Sequence, residues 1–135
     1  MTDADFVRRF EEHEIPNSQF RHRDHLRLGW WYLQNYGLEQ AIRKVQDRIR
    51  SFAARNGHAY KYHATLTELW VRLIAAHAAG HSFVTFGDFV DENRELLDKK
   101  LPLRFYSVQR LYSTAAQDEW TEPDVNRLPW PANSD

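Results

Sequence analysis

The stretch FRHRDHLRLGWWYL, residues 20–33, sets His22 and His25 three positions apart. On a helix that spacing makes the two side chains neighbours, and two neighbouring imidazoles can chelate one transition-metal ion. A helical wheel over residues 22–36 gathers His22, His25, Leu26, Gly29, Leu33 and Tyr36 on one broad face, with Arg23, Asp24 and Arg27 opposite. The histidines therefore point where the leucines point. Glycine inside a helix costs about 1 kcal/mol relative to alanine, so Gly29 marks a place where room for a neighbouring helix or a ligand matters.

A second cluster lies in YKYHATLTELW, residues 60–70. If its helix includes His63, then His63, Thr67, Trp70 and Ile74 share a face, with Leu66 beside them. Thr65, Glu68 and Arg72 fall on the other side, Glu68 as an exposed i,i+4 partner of Arg72. His22, His25 and His63 each stand near a helix beginning. With the two helices side by side and those ends together, three imidazoles converge. Such a set suits zinc, iron, copper or nickel, with coordination positions left for water or substrate. Thr67, Tyr60, Tyr62, Trp70 and Asn93 are the candidates for the surrounding pocket.

The same residues support a plainer account. His22 would cap its helix, His25 would bond a carbonyl, and His63 would bond Tyr60 or Tyr62. His13 is either a fourth ligand or a histidine at the negative end of a helix dipole. His77 lies about 21 Å along the axis from His63, at 1.5 Å per residue, and cannot join it. His58 and His81 follow glycines and read as exposed loop residues. Thr67 either supports the metal site or bonds its own helix's carbonyl. Asn93 bonds backbone or reaches a ligand. RFYSVQRLYS, residues 104–113, mixes arginine and tyrosine in a way that could grip an acidic substrate, while DENRELLDKK reads as a solvated face. G-x-S-x-G, phosphate-loop and dinucleotide fingerprints are absent.

The elements that must position these residues are helical. Residues 3–13 put Phe6, Phe10 and His13 on one side. Leu38, Ile42, Val45, Ile49 and Phe52 form the clearest stripe, with Arg43, Lys44, Asp47 and Arg48 away from it. Gly37 and Gly57 stand where C-terminal caps belong. A further helix runs from His63 to Ala79, and another begins at the capping-box-like TFGD, carrying Phe86, Phe89, Val90 and Leu97 inward. Short helices follow near 107–112 and 114–119, then an irregular tail over 121–135. The expected architecture is one all-α domain over residues 1–135, an irregular bundle of four to five main helices.

Composition sets the outer bounds. The 135 residues are 42% hydrophobic and include no cysteine, which removes thiolate metal sites and cysteine nucleophiles. A net charge of −1 gives no reason to expect nucleic acid. No apolar run approaches the length of a membrane span, and no signal-peptide core opens the chain, so a cytoplasmic protein is expected. Trp31 faces the arginine side of its helix and belongs either to a homodimer contact or under the C-terminal tail.

FRHRDHL, YHATLTELW and RFYSVQRLYSTAAQDEWTEPDVNRLP together resemble a set of small uncharacterised bacterial α-helical proteins. These have H-x-x-H-L near the start, Y-H-x-T-x-T in the middle and W-x-x-P-D near the end. The resemblance covers most of the chain and marks His22, His25, His63, Thr65 and Thr67, but it brings no activity with it.

The expectation is a metalloprotein acting as an enzyme on a small organic molecule, with a divalent transition metal (iron, zinc or copper) on His22, His25 and His63. The metal would serve an oxidoreductase or a hydrolase or lyase. The alternative is a non-enzymatic helical module that binds a ligand or partner and uses its histidines structurally. A third reading is metal-free acid–base catalysis by His25 or His63.

Overall fold

A computed structural model describes residues 1–129. Its helices are α1 (Asp3–Glu11), α2 (His22–Tyr36), α3 (Leu38–Arg55), α4 (Ala64–Ala78), α5 (Phe86–Asp91), α6 (Val108–Leu111) and α7 (Thr114–Asp118). Short 3-10 turns link them, and no strand occurs among the described residues. The all-α expectation holds, with α1 to α4 as the main helices. Residues 120–129 carry no helix, in keeping with an irregular tail, and positions 130–135 of that expectation lie outside the described residues.

Gly37 alone separates α2 from α3, with φ at +83°. Only glycine enters that region freely. The chain doubles back there, and α2, α3 and α4 pack on one another. The stripe along α3 faces inward: Ile42, Val45 and Ile49 are buried, while Leu38 and Phe52 are partly covered against the same cluster.

α2 is buried on two sides. Leu28 and Tyr32 join Phe6, Phe10 and the α3 stripe in one core cluster. Leu26 and Trp30 join Leu69, Leu73, Ile74, Phe86 and Phe89 in a second. Trp31 is half-buried and packs against both clusters.

α4 departs most from the helical-wheel expectation. It begins one residue later, at Ala64, and its outward side is covered as well: Thr65 is 0% and Glu68 8% exposed. The wheel assigns polar side chains to solvent, yet residues 119–121 fold back over Thr65, and Glu68 finds partners on α3 and on its own helix. Thr65 Oγ1 donates to the Glu119 carbonyl at 3.0 Å and accepts from the Thr121 N–H at 3.1 Å. Glu68 does pair with Arg72, at 2.8 Å, but as a buried carboxylate that also accepts from Gln46 at 3.5 Å. Burying a charge is tolerable only when it is paired and hydrogen-bonded in this way.

RFYSVQRLYS has a structural task too. Tyr106 is buried and its hydroxyl donates to the Thr121 carbonyl, while Arg110 donates to that of Glu122. This segment holds the C-terminal stretch in place.

α5 is shorter than its sequence pattern suggests. Thr85 caps it through the Asp88 N–H, but the helix stops at Asp91, and a 3-10 turn over Arg94–Leu97 follows. Leu96 is fully buried in the second cluster, Leu97 packs partly buried against it, and Leu97 and Lys99 both reach the cavity between α2, α3 and α4. Among the described residues no helix is long and apolar enough to cross a membrane.

Candidate functional site

The antiparallel α2–α3 pair brings the start of α2 beside the end of α3, and α4 closes the third side. Between them lies a cavity of about 820 Å³. Phe20, Val45, Ile49, Phe52, Val71 and Ile74 supply much of its apolar wall. That is the size and character of a small-molecule site. Gly29 also lines it, at the close approach of α2 to α4: a Cβ there would stand 3.1 Å from Ile74 Cδ1. The glycine thus serves the neighbouring helix and the cavity together.

His22, His25 and His63 all line this one cavity, as do Thr67, Trp70 and Tyr62. The face of α4 formed by Leu66, Thr67, Trp70 and Ile74 is the one that looks into it. Other candidates fall elsewhere. Tyr60 is 69% exposed and does not line the cavity. Asn93 lies beyond α5, where Oδ1 meets His77 Nδ1 at 3.0 Å and Nδ2 donates to the Phe89 carbonyl at 2.9 Å. It ties α4 to the α5 region rather than serving a ligand. His13 is exposed, takes φ of +64° after α1, and lines a separate small cavity with Glu11 and Arg48.

His22, His25 and His63 differ in what they have left to offer. His63 is the N-cap of α4: its Nδ1 accepts from the Leu66 N–H at 3.0 Å. Its Nε2 therefore carries the proton and donates to the Leu111 carbonyl at 2.7 Å. Both ring nitrogens are committed to backbone. The expected bond from His63 to Tyr60 or Tyr62 is replaced by these two.

His22 stands at the first position of α2 and donates through Nε2 to the Leu96 carbonyl, at 2.9 Å. Its ring meets Trp70 edge-on, with centroids 4.5 Å apart. In the neutral ring that bond leaves Nδ1 with a bare lone pair. Burial lowers its pKa, so it is neutral at pH 7.

His25 is half-buried and packed 4.3 Å, centroid to centroid, from Phe20; among the described residues its ring nitrogens make no hydrogen bond to protein and stay open to the solvent of the cavity. Burial first, then His22 and Lys99, push its pKa down to about 4. Here is a neutral imidazole with one donor and one acceptor not used by the protein, facing an open cavity. The expected bond from His25 to a carbonyl is not made.

Two other polar atoms of the cavity are fully buried as well as unpaired. Tyr62 Oη and His58 Nδ1 are buried without a partner among the described residues, and both residues line the cavity. Burial pushes the Tyr62 phenol up, which keeps it a protonated donor. His58, expected as an exposed loop residue, is half-buried because the turn over Ala59–Lys61 folds it toward the end of α3. The sequence signal for it was weak: one histidine after a glycine. Thr67 is spent, donating to the His63 carbonyl at 2.7 Å.

As a metal centre the set is incomplete. With both nitrogens of His63 bonded to backbone, the three-imidazole arrangement is not assembled, and no group of three or more His, Cys, Asp or Glu side chains converges among the described residues. As a binding pocket the set is well provided: apolar walls with a few unpaired polar atoms aimed inward. No family model matches the chain, and no curated protein or solved structure is significantly similar to it.

Proposed function

We propose that this protein binds a small organic molecule in the cavity between α2, α3 and α4, with His25 as its main polar contact. The observation carrying this reading is the contrast among the histidines. His22 and His63 are anchored to backbone carbonyls across the fold, whereas His25, in the same wall, is left unpaired. Beside it, Tyr62 Oη and His58 Nδ1 are fully buried without a partner among the described residues, a condition that costs about 1–3 kcal/mol per group. A ligand that supplies the missing hydrogen bond recovers that cost on binding. Tyr62 and His58 stand ready to add further contacts.

The test is native mass spectrometry of protein purified without denaturation, followed by organic extraction and small-molecule mass spectrometry. A retained organic compound in the wild type, reduced in His25→Leu, is the expected result. A ligand retained equally by His25→Leu would exclude His25 as the contact.

A second reading keeps the metal. His22 has the arrangement common among metal-bound histidines: one ring N–H fixed by a carbonyl, the other nitrogen presented. His22 and His25 could hold a divalent ion jointly with donors from a bound molecule, and the ion would supply Lewis-acid or redox chemistry. Elemental mass spectrometry separates the two readings. About one iron, copper or zinc per chain, lost in His22→Ala, favours the metal; an organic ligand retained by metal-free protein favours the simple pocket.

A further inference from the structure

The cavity's charged residues are all of one sign. Arg21, Arg23, Lys61 and Lys99 line it, and among the described residues no aspartate or glutamate does. The chain as a whole has 18 basic and 19 acidic side chains, so the asymmetry is local rather than inherited from composition.

Arg23 is engaged elsewhere, with its guanidinium 5.0 Å from the Phe86 ring centroid. Arg21, Lys61 and Lys99 have no carboxylate within ion-pair distance among the described residues. All three are exposed, whereas the apolar wall of Val45, Ile49, Val71 and Ile74 is buried, so the cations form a rim above an apolar interior. Lys99 is close enough to His22 and His25 to disfavour a proton on either ring. Carboxylates do lie nearby: Asp98 acts on His22 and Asp47 on Tyr62, but neither lines the cavity.

We infer that the ligand is an organic anion whose apolar or aromatic body fills the space between α2, α3 and α4, with its anionic group at the rim among Arg21, Lys61 and Lys99. This rests on the binding role proposed above and narrows it to a chemical class. A neutral ligand would gain no charge pairing from three cations that lack a carboxylate, and a cationic one would be repelled by them. An anion meets each feature of the site in turn. Its apolar part removes water from the buried wall. Its charge faces cations that have no carboxylate partner among the described residues, Lys61 resting only 5.9 Å from the Tyr60 ring centroid. Its body passes His25 and the Tyr62 hydroxyl, which can donate to any oxygen it carries.

The test uses two fluorescent probes with the same aromatic frame, 8-anilinonaphthalene-1-sulfonate and N-phenyl-1-naphthylamine. The first carries an anionic sulfonate and the second is neutral. Each is titrated into the folded full-length protein, with energy transfer from tryptophan as readout and circular dichroism confirming that the helices persist. The expected result is one saturable site for both, with the sulfonate bound about tenfold more tightly at low salt, the scale of a few exposed ion pairs. Added salt should shrink that preference. The double variant Arg21→Gln, Lys99→Gln, whose changes are at exposed positions, should bring the sulfonate close to the neutral probe and leave the neutral probe unchanged.

Equal binding of the two probes to the wild type overturns the anion inference and leaves the binding role intact. So does a preference that survives in the double variant. Failure of both probes to bind the wild type removes the binding role itself, and the inference with it.

Discussion

If His25 is held neutral by its surroundings, removing its ability to titrate must change how stability depends on pH. The unfolded imidazole has a pKa of 6.5, and in the fold it is pushed down to about 4. The folded value lies below the unfolded one, so the unfolded chain takes up this proton first as pH falls. Stability is therefore unaffected above pH 6.5 and declines between 6.5 and 4. Integrating over that window, the loss from His25 alone is about 1 kcal/mol at pH 5.5 and about 2–3 kcal/mol at pH 4.5. Against a typical domain stability of about 5–15 kcal/mol that is a large fraction.

The comparison is wild type against His25→Gln, which keeps a polar side chain of similar reach but cannot titrate. Urea unfolding followed at 222 nm at pH 7.5, 6.5, 5.5 and 4.5 gives the free energies. Carboxylates and His22, whose pKa is also lowered by burial, contribute to both proteins. The difference between the two curves therefore isolates His25 to first order. The variant should lie close to wild type at pH 7.5 and become progressively the more stable of the two as pH falls. Parallel curves across the whole range would mean that His25 titrates normally, and the account of it as a neutral group in the cavity would fail.

His63→Ala removes an N-cap and leaves the Leu111 carbonyl unpaired, so a loss of about 2–3 kcal/mol in unfolding free energy is expected. A loss below about 0.5 kcal/mol would show that the ring is not holding both groups. Thr65→Val keeps the shape but abandons two bonds to residues 119–121. It should cost about 1–3 kcal/mol and raise amide exchange at Thr121, which is the readout that separates local release from general destabilisation.

The backbone plan was legible because it rests on periodicity. The α3 stripe and the helix over His22–Tyr36 follow from spacing alone. So did the gathering of His22, His25 and His63 toward one space, since each faces the apolar side of its segment and lies near a helix start. What spacing could not supply was hydrogen-bond partners distant in sequence. Leu96 and Leu111 offer carbonyls, and any residue has one of those. No pattern of side-chain types can therefore reveal that His22 and His63 are occupied by them. Thr65 and Glu68 illustrate the same limit: a polar residue reads as exposed unless the segment covering it is already known. His58 and Lys99 reach the cavity from loops, where helical periodicity has nothing to say.

The anchors of the cavity wall have a consequence for the order of assembly. The bond from His22 spans 74 positions and that from His63 spans 48. Contacts this far apart form late, because a long loop must close before they reward the chain. During synthesis from the N-terminus, α2, α3 and α4 can collapse together while Leu111 and Glu119 are still inside the ribosome. At that stage the start of α4 lacks the second anchor of His63, and Thr65 lacks its clamp. The chamber thus becomes complete only after its last supports arrive, and capture of a ligand there would mark a chain that has finished folding.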